Sequence, residues 1–245
     1  MLTITISNQR GGVGKTITSL TLARCLADTG KRVLLIDTDS QGSIGTILSL
    51  QPQFWLHHLV NEQIAMSNVA VKAHDCIDVI CSDRRTMRVE TTLSLSIGKE
   101  KTFHNLLRLA EEEYDAVLID VAPSISYLQS CAIAYTRSVL IPVSMDSLAI
   151  EGALASLTSI NMLNKFLGFD CRCLGFLPTQ VDQRTSATEV VLRTLDEHSK
   201  ISGIPVFRSI RTDQAVNKAI RNHSFLQDWD CKCRALEDYQ LACKE

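Results

Sequence analysis

The sequence predicts an α/β fold in which a mainly parallel sheet is covered by helices on both faces. Three observations lead there: six apolar runs of strand length, helical spacing in the segments between them, and aspartates or a glycine loop where runs end. Strands alternating with helical patterns need crossover connections, which set successive strands parallel and leave both sheet faces to be buried by helices. With 245 residues, 45% apolar and 21% charged, the chain can bury one sizeable core without disulfides. Residues 1–245 are therefore expected to form a single domain.

The first run, LTITIS (2–7), leads into a glycine-rich segment. Ile17, Leu20, Ala23 and Ala27 then recur at steps of three and four, and Gly30 follows as a helix stop. RVLLID (32–37) completes a strand–loop–helix–strand unit, and IDVICS (77–82), AVLID (116–120), SVLIPV (138–143) and CLGFLPT (173–179) supply further strands. Leu154, Leu157, Ile160, Leu163 and Leu167 repeat the helical spacing before Gly168. In open parallel sheets ligands lie beyond the carboxyl ends of the strands, so the residues after each run are where chemistry is expected.

Composition narrows the function. A net charge of -2 and a pI of about 6.3 exclude a basic field over the whole molecule, so any DNA contact must come from a local patch. The N-terminus lacks a signal-peptide pattern, and no window reaches about 18 unbroken apolar residues. A soluble, cytoplasmic protein is expected. The nine cysteines form no C-x-x-C pair and are odd in number, which favours reduced, mostly buried thiols. Cys171 and Cys173, two apart in a predicted strand, should share one face.

The segment NQRGGVGKT (8–16) follows the first strand and opens the first helix. Gly11, Gly12 and Gly14 allow backbone N–H groups to turn inward on phosphate oxygens. Lys15 is placed to reach β- and γ-phosphates, Thr16 to coordinate Mg²⁺, and the helix N-terminus to face the same anion. The predicted nucleotide-binding run is Gly11, Gly12, Val13, Gly14, Lys15, Thr16 and Ile17, with ATP and Mg²⁺ as ligands. The ordinary P-loop pattern needs glycine at position 9, where Gln9 stands.

This loop resembles instead the deviant Walker A motif of the ParA/MinD ATPase superfamily, in which a lysine precedes the paired glycines; Arg10 takes that place here. RVLLIDTDSQG (32–42), YDAVLIDVAPS (114–124), VLIPVSMDSLAIEGA (139–153), LGFLPTQVDQRT (174–185) and IPVFRSIRTDQAVNKAI (204–220) resemble later blocks of that family in order and spacing. The resemblance is nearest to the small partition ATPases that lack an N-terminal DNA-binding domain, and it implies a P-loop NTPase fold. Ser40 and Ala122 stand where the family has prolines, which bears on the switch segments and not on the fold.

Phosphoryl transfer to water depends on neutralising phosphate charge and holding a water in line. Asp120 and Asp37 end predicted strands and, with Thr16, are the candidate metal ligands. By the resemblance Asp39 positions or polarises the lytic water, so Lys15, Asp39 and Arg10 are the predicted catalytic residues. The family lysine reaches across a nucleotide-sandwich dimer. Arg10 either replaces it as a bidentate finger in trans or alters the dimer geometry, and the first is the working expectation.

The resemblance further implies an ATP-bound homodimer that binds DNA non-specifically, is released when a ParB-like adaptor stimulates hydrolysis, and associates with the nucleoid. Arg184, Arg208, Arg211 and Lys218 are the candidate DNA contacts, acting on phosphates without reading bases; Arg–Asp pairs with Asp182 or Asp213 are the structural alternative. Trp229, Cys233, Leu236, Tyr239 and Cys243 make an apolar face, but residues 229–245 hold three basic and four acidic side chains. Packing on the domain is therefore expected over membrane binding. The adenine pocket is expected near Thr179 and Pro205. Two other readings are a positioning ATPase for a non-DNA cargo and a MinD-like membrane-associated ATPase.

Overall fold

The computed structural model describes residues 1–245. Seven strands form one sheet: β1 (Leu2–Ile6), β2 (Val33–Asp37), β3 (Val71–His74), β4 (Ile77–Ile80), β5 (Ala116–Asp120), β6 (Ser138–Ser144) and β7 (Arg172–Thr179). Their spatial order is β3-β4-β2-β5-β1-β6-β7. All neighbouring pairs are parallel except β3 with β4. The antiparallel edge strand β3 departs from the predicted set. Its sequence, VKAH, is short and polar on alternate positions, and it folds back on β4 through a tight turn, so it carries no buried apolar run to betray it.

Period-two alternation divides β2 between the two faces. Val33 and Leu35 join one core with α1 (Lys15–Ala27) and the C-terminal helices, through Leu20, Ala23, Leu236 and Tyr239. Leu34 and Ile36 join a second core with Leu56, Val89, Leu93, Phe103 and Leu128 on the opposite face. Each fully buried Leu, Ile or Val contributes about 1.5–3 kcal/mol. A five-residue strand buried on both faces is thus held as firmly as a longer one-sided strand. A third core lies between β6, β7 and the Ser147–Leu167 helix, through Ile141, Val143, Ala153, Ile160 and Phe176. Cys171 lies in this core and Cys173 packs against it, with the Cys171 thiol donating to the Ile133 carbonyl at 3.6 Å.

The long helix begins on an Asp146 side-chain cap, which accepts from Ala149 N at 3.0 Å, and stops at Gly168 with φ 68°. Its predicted apolar stripe runs one residue too far, for Leu167 is 49% exposed. The C-terminal segment also differs from a single helix. Trp229 ends a separate turn and is 42% exposed, whereas Leu236 and Tyr239 in the Arg234–Ala242 helix are buried against α1. No helix is long and apolar enough to cross a membrane.

Candidate nucleotide site

β1, β2 and β5 end level with one another: Ile6 pairs with Asp120, and Asp120 with Asp37. Two carboxylates are thereby set side by side under the loop that follows β1. Both are buried, and burial is the first cause that raises each pKa, to about 6 for Asp120 and well above the ordinary range for Asp37. Their environments differ. Asp120 accepts from Thr16 Oγ1 at 2.7 Å and from Ser19 Oγ at 3.1 Å, so it faces the start of α1. Asp37 accepts from Asp39 N at 2.9 Å and Ile44 N at 3.1 Å, and it does not line the cleft. Neither carboxylate itself lines the cleft; Asp120 is engaged by side-chain hydroxyls and Asp37 by backbone N–H groups. The two Asp37 oxygens hold the Asp39–Ile44 turn, and Asp39, which does line the cleft, is aimed by that turn.

The loop itself is fixed from several sides. Gly12 and Gly14 have φ of 78° and 85°, and Gly14 is the N-cap of α1. Thr179 Oγ1 donates to Val13 O and Gln180 Nε2 to Gly12 O, both at 2.8 Å, so the carbonyls are tied outward by β7. Asn8 donates to Pro142 O at 2.8 Å and Ala149 O at 3.1 Å and accepts from Arg10 N at 2.8 Å. Gly152 lies directly against this turn, where an added Cβ would meet Arg10 N at 2.7 Å and collide with Asn8 Oδ1. Lys15 is buried with its ammonium on the Arg10 carbonyl at 2.9 Å. Burial lowers its pKa, opposed by Asp120 and Asp39. A buried cation facing two carboxylates and a neutral carbonyl is a group poised for an anionic ligand.

Beside the loop opens a cleft of about 600 Å³ lined by Gly11, Gly12, Gly14, Lys15, Thr16, Ile17, Asp39 and Pro123. Its far wall is Thr179, Gln180, Ile210 to Asp213, Val216, Asn217, Ile220 and Tyr239. That wall mixes the apolar Ile210, Val216 and Ile220 with amide, hydroxyl and charged side chains, a lining that can take a ligand with both apolar and polar parts. Pro205 lies elsewhere. It lines an apolar cavity of about 360 Å³ with Leu2, Leu22, Leu140 and Phe207, apart from the cleft whose wall holds Thr179. Sequence reading missed Asn217 and Tyr239 because nothing in a helix pattern shows that the Gln214–Arg221 and Arg234–Ala242 helices close this wall. Val13, by contrast, is fully buried and meets the cleft only through its neighbours.

Arg10 does not line the cleft of its own chain. Its side chain is 46% exposed and 3.8 Å from Asp146.

A family model described as an AAA domain matches residues 1–169. The chain is 32% identical over 218 residues to the sporulation initiation inhibitor protein Soj of Bacillus subtilis, covering 86% of each chain. It is 32% identical over 225 residues to the chromosome-partitioning ATPase Soj of Thermus thermophilus, covering 90% of this chain and 88% of that protein. The chain belongs to the ParA/MinD family of P-loop ATPases. Its fold matches that of apo McdA from Cyanothece with a TM-score of 0.87 at 21% identity, covering 99% of both chains. As a ParA-like ATPase it carries the family's deviant loop with arginine in place of lysine at position 10.

The predicted DNA contacts are not one patch of free cations. Arg211 donates to Asp238 through Nε and Nη2, both at 2.8 Å, and to Glu237 at 3.0 Å, and Asp238 is buried. Arg211 thus ties the cleft wall to the C-terminal helix through Asp238, and not through Asp213, the partner weighed as the structural alternative. Arg184 makes the alternative pair with Asp182, at 2.9 and 2.7 Å, yet stays 88% exposed. Arg208 is 3.9 Å from Glu245, and Lys218 is exposed without an ion pair.

Proposed function

We propose that this ATPase binds Mg-ATP in the cleft above β1 and β5, hydrolyses it, and works as a nucleotide-switched partition or positioning protein. The residues fit the ligand: a glycine cradle tied outward by β7, a buried Lys15, and Thr16 hydrogen-bonded to Asp120. Thr16 and Asp120 would hold Mg²⁺, which supplies charge neutralisation on the phosphate oxygens. Asp39, set in the cleft wall by Asp37, orients the attacking water, and Lys15 stabilises charge that develops on the phosphates.

The observation that carries the switch is the position of Arg10. Its backbone is fixed by Asn8 and its carbonyl holds Lys15, but its side chain leaves the cleft of its own chain. A cation on the rim of a phosphate site, excluded from that site, serves a second copy of the chain. The ATP-bound form is accordingly a homodimer in which Arg10 reaches the partner's phosphates. Light scattering of an Asp39→Ala protein with ATP tests this. A dimer lost on Arg10→Ala supports the reading, and a dimer indifferent to Arg10 refutes it.

In this reading the dimer binds DNA non-specifically through Arg184, Arg208 and Lys218, and a ParB-like adaptor that stimulates hydrolysis releases it. The protein is cytoplasmic and travels on the nucleoid. The buried Leu236 and Tyr239 weigh against a MinD-like membrane helix, because the apolar side of the Arg234–Ala242 helix is already spent on α1. DNA co-sedimentation with ADP and ATP is the test. Binding insensitive both to nucleotide and to Arg184→Ala/Lys218→Ala rejects the DNA track.

A further inference from the structure

The segment between β5 and the Tyr127–Thr136 helix carries Pro123 to the cleft wall, opposite the glycine loop. It is anchored at both ends. Upstream, the Asp120 carbonyl accepts from Thr38 N and Thr38 Oγ1, both at 3.0 Å. Downstream, Glu90 accepts from Tyr127 N at 2.8 Å on Oε2 and from Leu128 N at 3.0 Å on Oε1. Between the anchors Ala122, Ser124 and Ile125 donate no backbone hydrogen bond. No backbone hydrogen bond donated by those three residues holds Pro123 between the anchored ends.

Glu90 belongs to a different element, the Met87–Leu95 helix. The Tyr127–Thr136 helix already has its own cap, for Ser126 Oγ accepts from Gln129 N at 3.0 Å. The two N–H groups nearer its start could be left to water, but a carboxylate from another helix takes both, where the helix dipole strengthens it. The same arm grips the helix again: the Lys99 ammonium lies 4.0 Å from the Tyr127 ring centroid, and the Cys131 thiol donates to Lys99 O at 3.0 Å. The arm's other end touches the Asp39 turn, since the Ser82 carbonyl lies 2.5 Å from where a Cβ on Gly42 would sit. One stretch, Ser82 to Lys101, thus contacts both segments that face the phosphates.

We propose that Glu90 is a positioning residue for hydrolysis: its carboxylate fixes the far end of the Val121–Ser126 segment, and through it the cleft wall at Pro123. The proposal rests on the hydrolysis reading of the cleft given above. Glu90 touches no nucleotide, so its loss should change turnover and leave ground-state binding alone.

The test compares wild type, Glu90→Ala and Glu90→Gln in steady-state ATP hydrolysis, in affinity for a fluorescent ADP, and in amide hydrogen exchange at Tyr127 and Leu128. Losing both charge-assisted bonds should lower kcat about five- to tenfold, keep ADP affinity within about twofold, and speed exchange at the two amides. Glu90→Gln keeps one acceptor oxygen and should fall between. Wild-type kcat in Glu90→Ala, unaccelerated exchange, or a parallel loss of kcat and ADP affinity would each overturn the proposal. A wild type that binds ATP without turnover sinks the hydrolysis reading, and this one with it; normal turnover in Glu90→Ala sinks only this one.

Discussion

Gly152 offers a sharp test of how the long helix supports the phosphate loop. At an ordinary helical site Gly→Ala gains about 1 kcal/mol. Here the new methyl would lie 2.7 Å from Arg10 N and 2.9 Å from Arg10 Cβ, and would collide with Asn8 Oδ1. The loop cannot step aside freely, because Asn8 is bonded to Pro142 O, Ala149 O and Arg10 N. Overpacking of this kind costs about 1–3 kcal/mol. If two of the three Asn8 bonds lengthen, about 1 kcal/mol each is added, and subtracting the helical gain leaves a net loss of about 2–4 kcal/mol. In a chain of this size each kcal/mol moves Tm by about 2–4 °C, so Gly152→Ala should melt about 4–16 °C lower. Differential scanning fluorimetry with and without ADP reads both effects, and the stabilisation by ADP should shrink because the displaced turn is the entry to the glycine loop. A Gly152→Ala protein that melts at or above wild type with undiminished nucleotide affinity would refute the reasoning.

Other predictions follow from the same geometry. Asp120 has its pKa raised by burial to about 6, so folding without a cation is penalised as pH rises from the unfolded value of about 3.9 towards 6, and the penalty is complete at pH 7. Asp120→Asn should therefore raise the Tm of the nucleotide-free protein at pH 7.5, while abolishing turnover; a lower Tm contradicts the burial argument. Arg211→Ala, which leaves a buried Asp238 carboxylate unpaired, should melt well below wild type, and Arg211→Met/Asp238→Leu should recover part of the loss. If Arg211→Ala instead kept its Tm and lost only DNA binding, Arg211 would be a DNA contact after all. Cys25, Cys81 and Cys131 are pushed up to about 12 by burial, whereas Cys231 is exposed. Ellman's reagent at pH 8 should label Cys231 first and reach all nine thiols only after denaturation. Fast labelling of the buried three in the native protein would show that these cores open readily.

Much of this site was legible because its parts lie in sequence order. The glycines, Lys15 and Thr16 are contiguous, and Asp37 and Asp120 end runs such as VLLID and AVLID that no soluble helix would carry on both faces. What escaped the sequence is what depends on pairing across the fold. Asp37 and Asp120 read alike as strand-end acids, yet only the Asp39–Ile44 turn shows that one is occupied by backbone N–H groups. Arg184 and Arg211 read alike as loop cations, but Asp238, which decides Arg211, is 27 residues away on a helix whose docking site no periodicity reveals. Glu90 gave no signal at all, since a single glutamate on an amphipathic helix becomes a cap only when another helix starts beside it. β3 was lost for the opposite reason, because an edge strand needs no apolar run.

The level ending of β1, β2 and β5 bears on how this protein can change. β5 is bonded on both sides, so the height of Asp120 is fixed twice, by Ile6 and by Asp37. Deleting one residue within β5 would move that carboxylate by about 3.3 Å and turn its neighbours to the wrong core. The loop of Ala122 to Ser126 can take substitutions without disturbing that height, because Pro123, Ser124 and Ile125 are exposed. Single-residue deletions scanned across 116–120 and 122–126 should thus differ sharply. On the strand side they destroy the fold, and on the loop side they leave a folded protein whose clock has been reset.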